Sequence, residues 1–101
     1  MTAPSGFEFP IPALVELCRR YRVRELAVFG SVLGADFRPD SDIDFLVEFE
    51  PGAQVGFLTL AGLAREFSTL LGRKVDVVPK RGLKPPIRKG VLAAARILYA
   101  A

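Results

Sequence analysis

Three aspartates interrupt stretches that otherwise read as apolar strand: Asp42 and Asp44 in Asp-Ile-Asp-Phe-Leu-Val, and Asp76 in Lys-Val-Asp-Val-Val. A carboxylate held inside an apolar strand is strongly destabilising unless a cation or hydrogen bonds compensate it. Any fold built from these strands must therefore bring the acids to a place where such compensation is available, and shared metal coordination is the simplest form. Gly30-Ser31 follows another apolar stretch, Glu25 to Phe29, and lies about ten residues upstream of the acidic pair. A glycine-serine turn directly after a strand is a candidate phosphate site. Carboxylates for a metal beside donors for a phosphate point to chemistry on a nucleoside triphosphate.

The residues that are missing narrow this further. The chain has no histidine and a single cysteine, Cys18, which removes intrachain disulfides, His/Cys zinc sites, serine-histidine triads and imidazole acid-base catalysis. A hard cation such as Mg2+, which prefers carboxylates, water and substrate phosphates, suits the remaining side chains. Cys18 falls on the apolar face of an expected helix and reads as a small core residue. At 101 residues a single domain spanning 1–101 is expected, with any bulky substrate supplied from outside. No apolar run approaches the roughly 20 residues of a membrane span, and the start lacks the pattern of a secretory signal. The expectation is a cytoplasmic protein without membrane contact.

The net charge of +3 hides a segregation. Between residues 36 and 50 stand Asp36, Asp40, Asp42, Asp44, Glu48 and Glu50 against one base, Arg38. Arg19, Arg20, Arg22 and Arg24 precede the first expected strand, and Arg73, Lys74, Lys80, Arg81, Lys84, Arg88 and Lys89 crowd the last third. Such basic patches attract nucleotides, nucleic acid or an acidic partner, and equally serve as a solvated surface.

Residues 11 to 22 place Ile11, Leu14, Val15, Cys18 and Tyr21 at helical spacing, with basic residues near the end where the helix dipole favours them. Glu25 to Phe29 reads as a strand, Ser31 as the cap of a brief helix over 32–35, and Phe37 to Ser41 as a loop. In a strand from Asp42 to Phe49, Ile43, Phe45, Val47 and Phe49 share one face, and Asp42, Asp44, Leu46 and Glu48 share the other. Two residues along a strand advance about 6.6 Å, which lets both carboxylates serve one metal or two neighbouring ones. Residues 57 to 71 read as a helix burying Phe57, Leu60, Ala61, Ala64, Phe67 and Leu71, closed by Gly72. A third strand from Lys74 to Val78 carries Asp76. A final helix spaces Ile87, Val91, Ala94, Ala95 and Leu98 as its apolar stripe.

Strands alternating with helices predict an α+β fold, a small mixed sheet with helices mainly on one face and the site on the open one. If the second and third strands are neighbours, Asp76 projects beside Asp42 and Asp44. Each motif also has a purely structural explanation. Gly30-Ser31 alone could be a turn, and Asp42 a loop cap; Asp44, set between Ile43 and Phe45, and Asp76 among valines are harder to explain that way.

Taken jointly, Phe29-Gly30-Ser31, the spacer from Val32 to Ser41, Asp42-Ile43-Asp44 and Asp76 resemble the minimal nucleotidyltransferases of the DNA polymerase β-like superfamily. The resemblance extends through Arg38-Pro39-Asp40-Ser41 and the expected helix from Arg88 to Tyr99, nearly the whole chain. It implies the polymerase β-like nucleotidyltransferase fold, two Mg2+ ions held by Asp42, Asp44 and Asp76, and ATP as substrate with its phosphates at Gly30 and Ser31. It also implies Asp76 as ligand or proton acceptor and a HEPN RNase toxin as hetero-oligomeric partner, with AMP transferred to a tyrosine hydroxyl of that toxin and no direct nucleic-acid binding. Apolar residues near Phe57 and Tyr99 are candidates for the interface. One position departs from the family pattern: many relatives carry an arginine three residues after the serine, where this chain has Gly34. Two other readings stand beside this one. The chain could be a non-catalytic nucleotide-binding antitoxin acting by contact, or a transferase acting on a small molecule such as an aminoglycoside, which calls for a further substrate-binding domain or subunit.

Overall fold

A computed structural model describes residues 1–101. Helix α1 (Ile11–Arg20) begins at a proline-bounded start, where a missing N–H is harmless, and ends on Arg19 and Arg20. Strand β1 (Val23–Phe29) follows, then a single 3-10 turn over Ser31–Leu33. Strand β2 (Ile43–Phe49) leads to helix α2 (Phe57–Leu71) and strand β3 (Val75–Pro79). A second 3-10 turn (Lys80–Gly82), helix α3 (Pro85–Ala94) and strand β4 (Arg96–Ala100) complete the chain. The strands form one mixed sheet in the order β3-β2-β1-β4, in which only β2 and β3 are parallel.

The alternation in β2 sorts its side chains as expected. Ile43, Phe45 and Val47 enter the main core with Leu26, Val28 and Val75, under Leu14, Leu17 and Cys18 of α1 and Leu63 and Phe67 of α2. Two of the three helices thus lie on this face. The opposite face is not left bare: Ala27, Leu46 and Leu83 form a second small cluster, joined by Val91 and Leu92 of α3. No helix is long and apolar enough to cross a membrane.

Three local expectations are corrected. The helix expected to run to Tyr99 stops at Ala94, and Arg96–Ala100 instead pairs antiparallel with β1. Ile97, Leu98 and Tyr99 suit a pleated surface, and pairing satisfies an edge of β1 that a longer helix would leave open. Ser31 does not cap a helix; it opens a three-residue turn in which Leu33 and Gly34 donate to the carbonyls of Gly30 (3.1 Å) and Ser31 (3.0 Å). Helix α2 has the expected bounds and its expected stop, Gly72 at φ 66°, whose N–H donates to Ser68 O at 2.9 Å. Phe57, however, is 82% exposed and Leu58 83%. Periodicity gives a side chain's angle around the helix but not how far along the axis the neighbouring elements reach, and nothing covers this first turn.

Candidate functional site

Because β1 runs against β2 while β3 runs with it, the end of β1 and the starts of β2 and β3 meet at one end of the sheet. Asp44, the second residue of β2, is paired with Asp76, the second residue of β3. On its other side Asp44 is paired with Phe29, the last residue of β1. The chain therefore leaves β1 through Gly30 directly beside the Asp44 carboxylate.

Gly30 is needed there on two counts. Its backbone sits at φ 84°, ψ −155°, a region open essentially to glycine alone. A Cβ at this position would also fall on Asp44 Oδ2 and lie 3.2 Å from Asp44 Cγ. Glycine's lack of a side chain, read from the sequence as room for a phosphate, also makes room for a carboxylate.

Asp44 is half-buried, and its carboxyl is held above the ordinary value of 3.8, first by burial and then by the negative charges of Asp76 and Asp42. Asp42 precedes β2 by one residue and is partly exposed, with Lys74 Nζ 3.6 Å from its Oδ2. That exposed ion pair contributes little to stability. The ladder sets Asp76 opposite Asp44, and the negative charges of Asp76 and Asp42 both reach the Asp44 carboxyl. No three His, Cys, Asp or Glu side chains in the molecule close into a ready-made set of metal ligands.

The donor set suits a hard cation. The site offers only oxygen, and Cys18, fully buried in the main core, has its thiol pushed up to about 12 by burial, which keeps it from acting as a thiolate ligand. Mg2+ retains several waters and binds through one or two carboxylates plus substrate phosphates, so it does not demand a closed protein cage. Asp42, Asp44 and Asp76 are the residues that would hold it.

Ser31 is exposed beside Gly30. Gly34, the position that departs from the pattern of the family the motif resembles, is exposed in extended backbone and brings no positive charge. Arg38 does not pair with Asp40 through its side chain; its backbone N–H donates to Ser41 Oγ at 2.9 Å. Sequence reasoning counted Arg73 only among the surface bases, yet its guanidinium donates to the carbonyls of Arg38 and Ser41 in the loop that leads into Asp42. A cleft of about 440 Å³ lies at the far end of β2 and β3, lined in part by Arg24, Glu48, Glu50, Lys80 and Arg81, well away from the aspartates.

Residues 13–98 match the model of the family described as the nucleotidyltransferase domain. The chain belongs to this family. Among curated relatives, the protein adenylyltransferase MntA of Thermococcus cleftensis is 43% identical to this nucleotidyltransferase over 77 residues, 76% of each chain. A solved structure provisionally designated a minimal nucleotidyltransferase superposes with a TM-score of 0.71 at 42% identity, covering 85% of this chain and 86% of that one. The structure of a tri-AMPylated Shewanella oneidensis HEPN toxin in complex with its MNT antitoxin superposes with a TM-score of 0.67 at 20% identity, covering 90% and 70%. At that identity the likeness shows the fold alone. Family and fold agree with the minimal nucleotidyltransferase expected from the motif.

Proposed function

We propose that this nucleotidyltransferase transfers AMP from ATP to a tyrosine hydroxyl of a HEPN RNase toxin, and so acts in the cytoplasm as that toxin's antitoxin. The observation that carries the proposal is the register that sets Asp76 opposite Asp44, with Gly30 leaving the adjoining strand beside them. Similarity supports the acceptor class: a curated relative is a protein adenylyltransferase, and the fold is shared with an antitoxin bound to an AMPylated HEPN toxin.

Asp42, Asp44 and Asp76 would hold two Mg2+ ions, which supply neutralisation of triphosphate charge and alignment of the attacking and leaving oxygens. Around them the chain's own groups have separable tasks. The Ser31 hydroxyl and the amides opening the 3-10 turn, which such a turn leaves unbonded, donate to phosphate oxygens. The turn spans only Ser31–Leu33, so individual hydrogen bonds rather than a helix dipole do the holding. Asp76 accepts the proton of the attacking hydroxyl. The hydroxyl oxygen forms a bond to the α-phosphorus, the bond from that phosphorus to the bridging oxygen breaks, and pyrophosphate departs with its electron pair. Phe57 and Leu58, uncovered on the first turn of α2, are the most exposed of the large apolar residues available to a partner, followed by Ile97 and Ile87.

The test is incubation with ATP labelled at the α-phosphate, Mg2+ and the HEPN-type product of a neighbouring gene. Label is expected on the toxin, with loss of its RNase activity. An unlabelled toxin, under conditions where the chain binds ATP, would refute transfer. One observation favours a second reading, neutralisation by contact without catalysis: Gly34 departs from the pattern of the family the motif resembles and brings no positive charge. Asp44→Asn separates the two, since neutralisation that survives it requires binding alone.

A further inference from the structure

The backbone on both sides of Asp42 is anchored by one short segment, Arg73-Lys74. Upstream, Arg73 Nη1 donates to Arg38 O at 2.9 Å and to Ser41 O at 3.0 Å. Downstream, the N–H of Ile43 donates to Lys74 O at 3.0 Å. The loop adds a turn of its own, with Ser41 N–H donating to Arg38 O at 3.0 Å and Arg38 N–H to Ser41 Oγ at 2.9 Å.

The guanidinium is itself fixed by aromatic faces. It lies 4.3 Å from the centroid of Phe37 and 5.4 Å from that of Phe7. Phe7 packs edge-on against both Phe37 and Phe9, and Phe9 lies 6.1 Å from Phe45 in the middle of β2. The exposed loop is thereby connected to the rigid core through a stacked cation. A planar fork that donates twice while its faces stack on rings is a task for arginine, which lysine's single ammonium cannot reproduce.

We infer that Arg73 is a positioning residue for the metal site, holding the loop that sets the Asp42 carboxylate. The inference rests on the reading of Asp42 as a metal ligand. Groups that orient ligands from behind typically change metal affinity by about 10–100-fold when altered.

The experiment compares wild type, Arg73→Lys and Phe37→Leu, each first shown to melt cooperatively. Mn2+ affinity is measured by electron paramagnetic resonance in the presence of a non-hydrolysable ATP analogue, and backbone exchange over residues 38–42 by hydrogen–deuterium exchange. Arg73→Lys should weaken Mn2+ binding about tenfold or more. It should also speed exchange at Arg38 and Ser41 about tenfold, in line with the loss of charge-assisted bonds, while leaving β2 protected. Phe37→Leu should move both quantities in the same direction by less, and Arg65→Lys, on the exposed side of α2, should move neither. Wild-type affinity and exchange in a folded Arg73→Lys protein would overturn the positioning role alone. Failure of the wild type itself to take up Mn2+ would overturn the metal-site reading together with it.

Discussion

Asp44 and Asp76 stand directly opposite each other across the parallel ladder of β2 and β3. The half-burial of Asp44 is the first cause that holds its carboxyl above the ordinary range, and the like charges of Asp76 and Asp42 add to it. The pairing does nothing for the stability of the sheet. On the proposed function it belongs to the part of the fold given over to chemistry, where local rules are broken for function.

Neutralising Asp44 should therefore separate stability from activity. Asp44→Asn removes the repulsion and is expected to stabilise the metal-free protein by a few tenths of a kcal/mol to about 1 kcal/mol at a partly exposed site, seen as a higher melting temperature. Transfer should fall by about 100-fold or more, since even groups behind a ligand matter by 10–100-fold. Differential scanning calorimetry and a labelled-ATP assay on the same preparation check both signs.

Gly30→Ala should fail on both counts. It forces a side chain into backbone at φ 84° and onto the Asp44 carboxylate, which should destabilise the fold by about 1–3 kcal/mol. Urea unfolding measures the loss, and nucleotide binding should be lost even at temperatures where the variant remains folded.

Cys18 should be inert to thiol reagents at neutral pH in the native state, being 0% exposed with its thiol pushed up to about 12. An acid whose folded value is raised keeps its full contribution below the unfolded value and loses it as pH rises through the folded one. Stability should thus fall between about pH 9 and 12, and Cys18→Ala should flatten that fall. Thermal melts of both proteins across this range provide the check.

Phe67 is fully buried on α2, edge-on to Phe45 at 4.9 Å and 80°. Phe67→Ala should cost about 3–5 kcal/mol. Denaturant titration would register it as a lower midpoint with little change in slope.

What the sequence made legible was local. The alternation from Ile43 to Phe49 placed Asp44 on the face opposite Phe45, and glycine at 72 marked the end of α2, because both follow from backbone periods that any neighbourhood must respect. The adjacency of β2 and β3 was legible only as a condition, since strand order depends on contacts between distant segments. The strand Arg96–Ala100 was misread for a related reason: Leu98 continues a helical stripe, and only the open edge of β1 decides against it. Arg73 carried no signal beyond its charge, because its partners Phe7, Phe37 and the carbonyls of Arg38 and Ser41 lie more than thirty residues away in the chain.

The most direct test of the account is isothermal titration of the purified chain with ATP, with and without Mg2+, beside Asp44→Asn and Asp76→Asn. The account predicts nucleotide uptake by the wild type that depends on Mg2+ and is lost or severely weakened in both variants. Uptake that is indifferent to Mg2+, or equal in the three proteins, would contradict it.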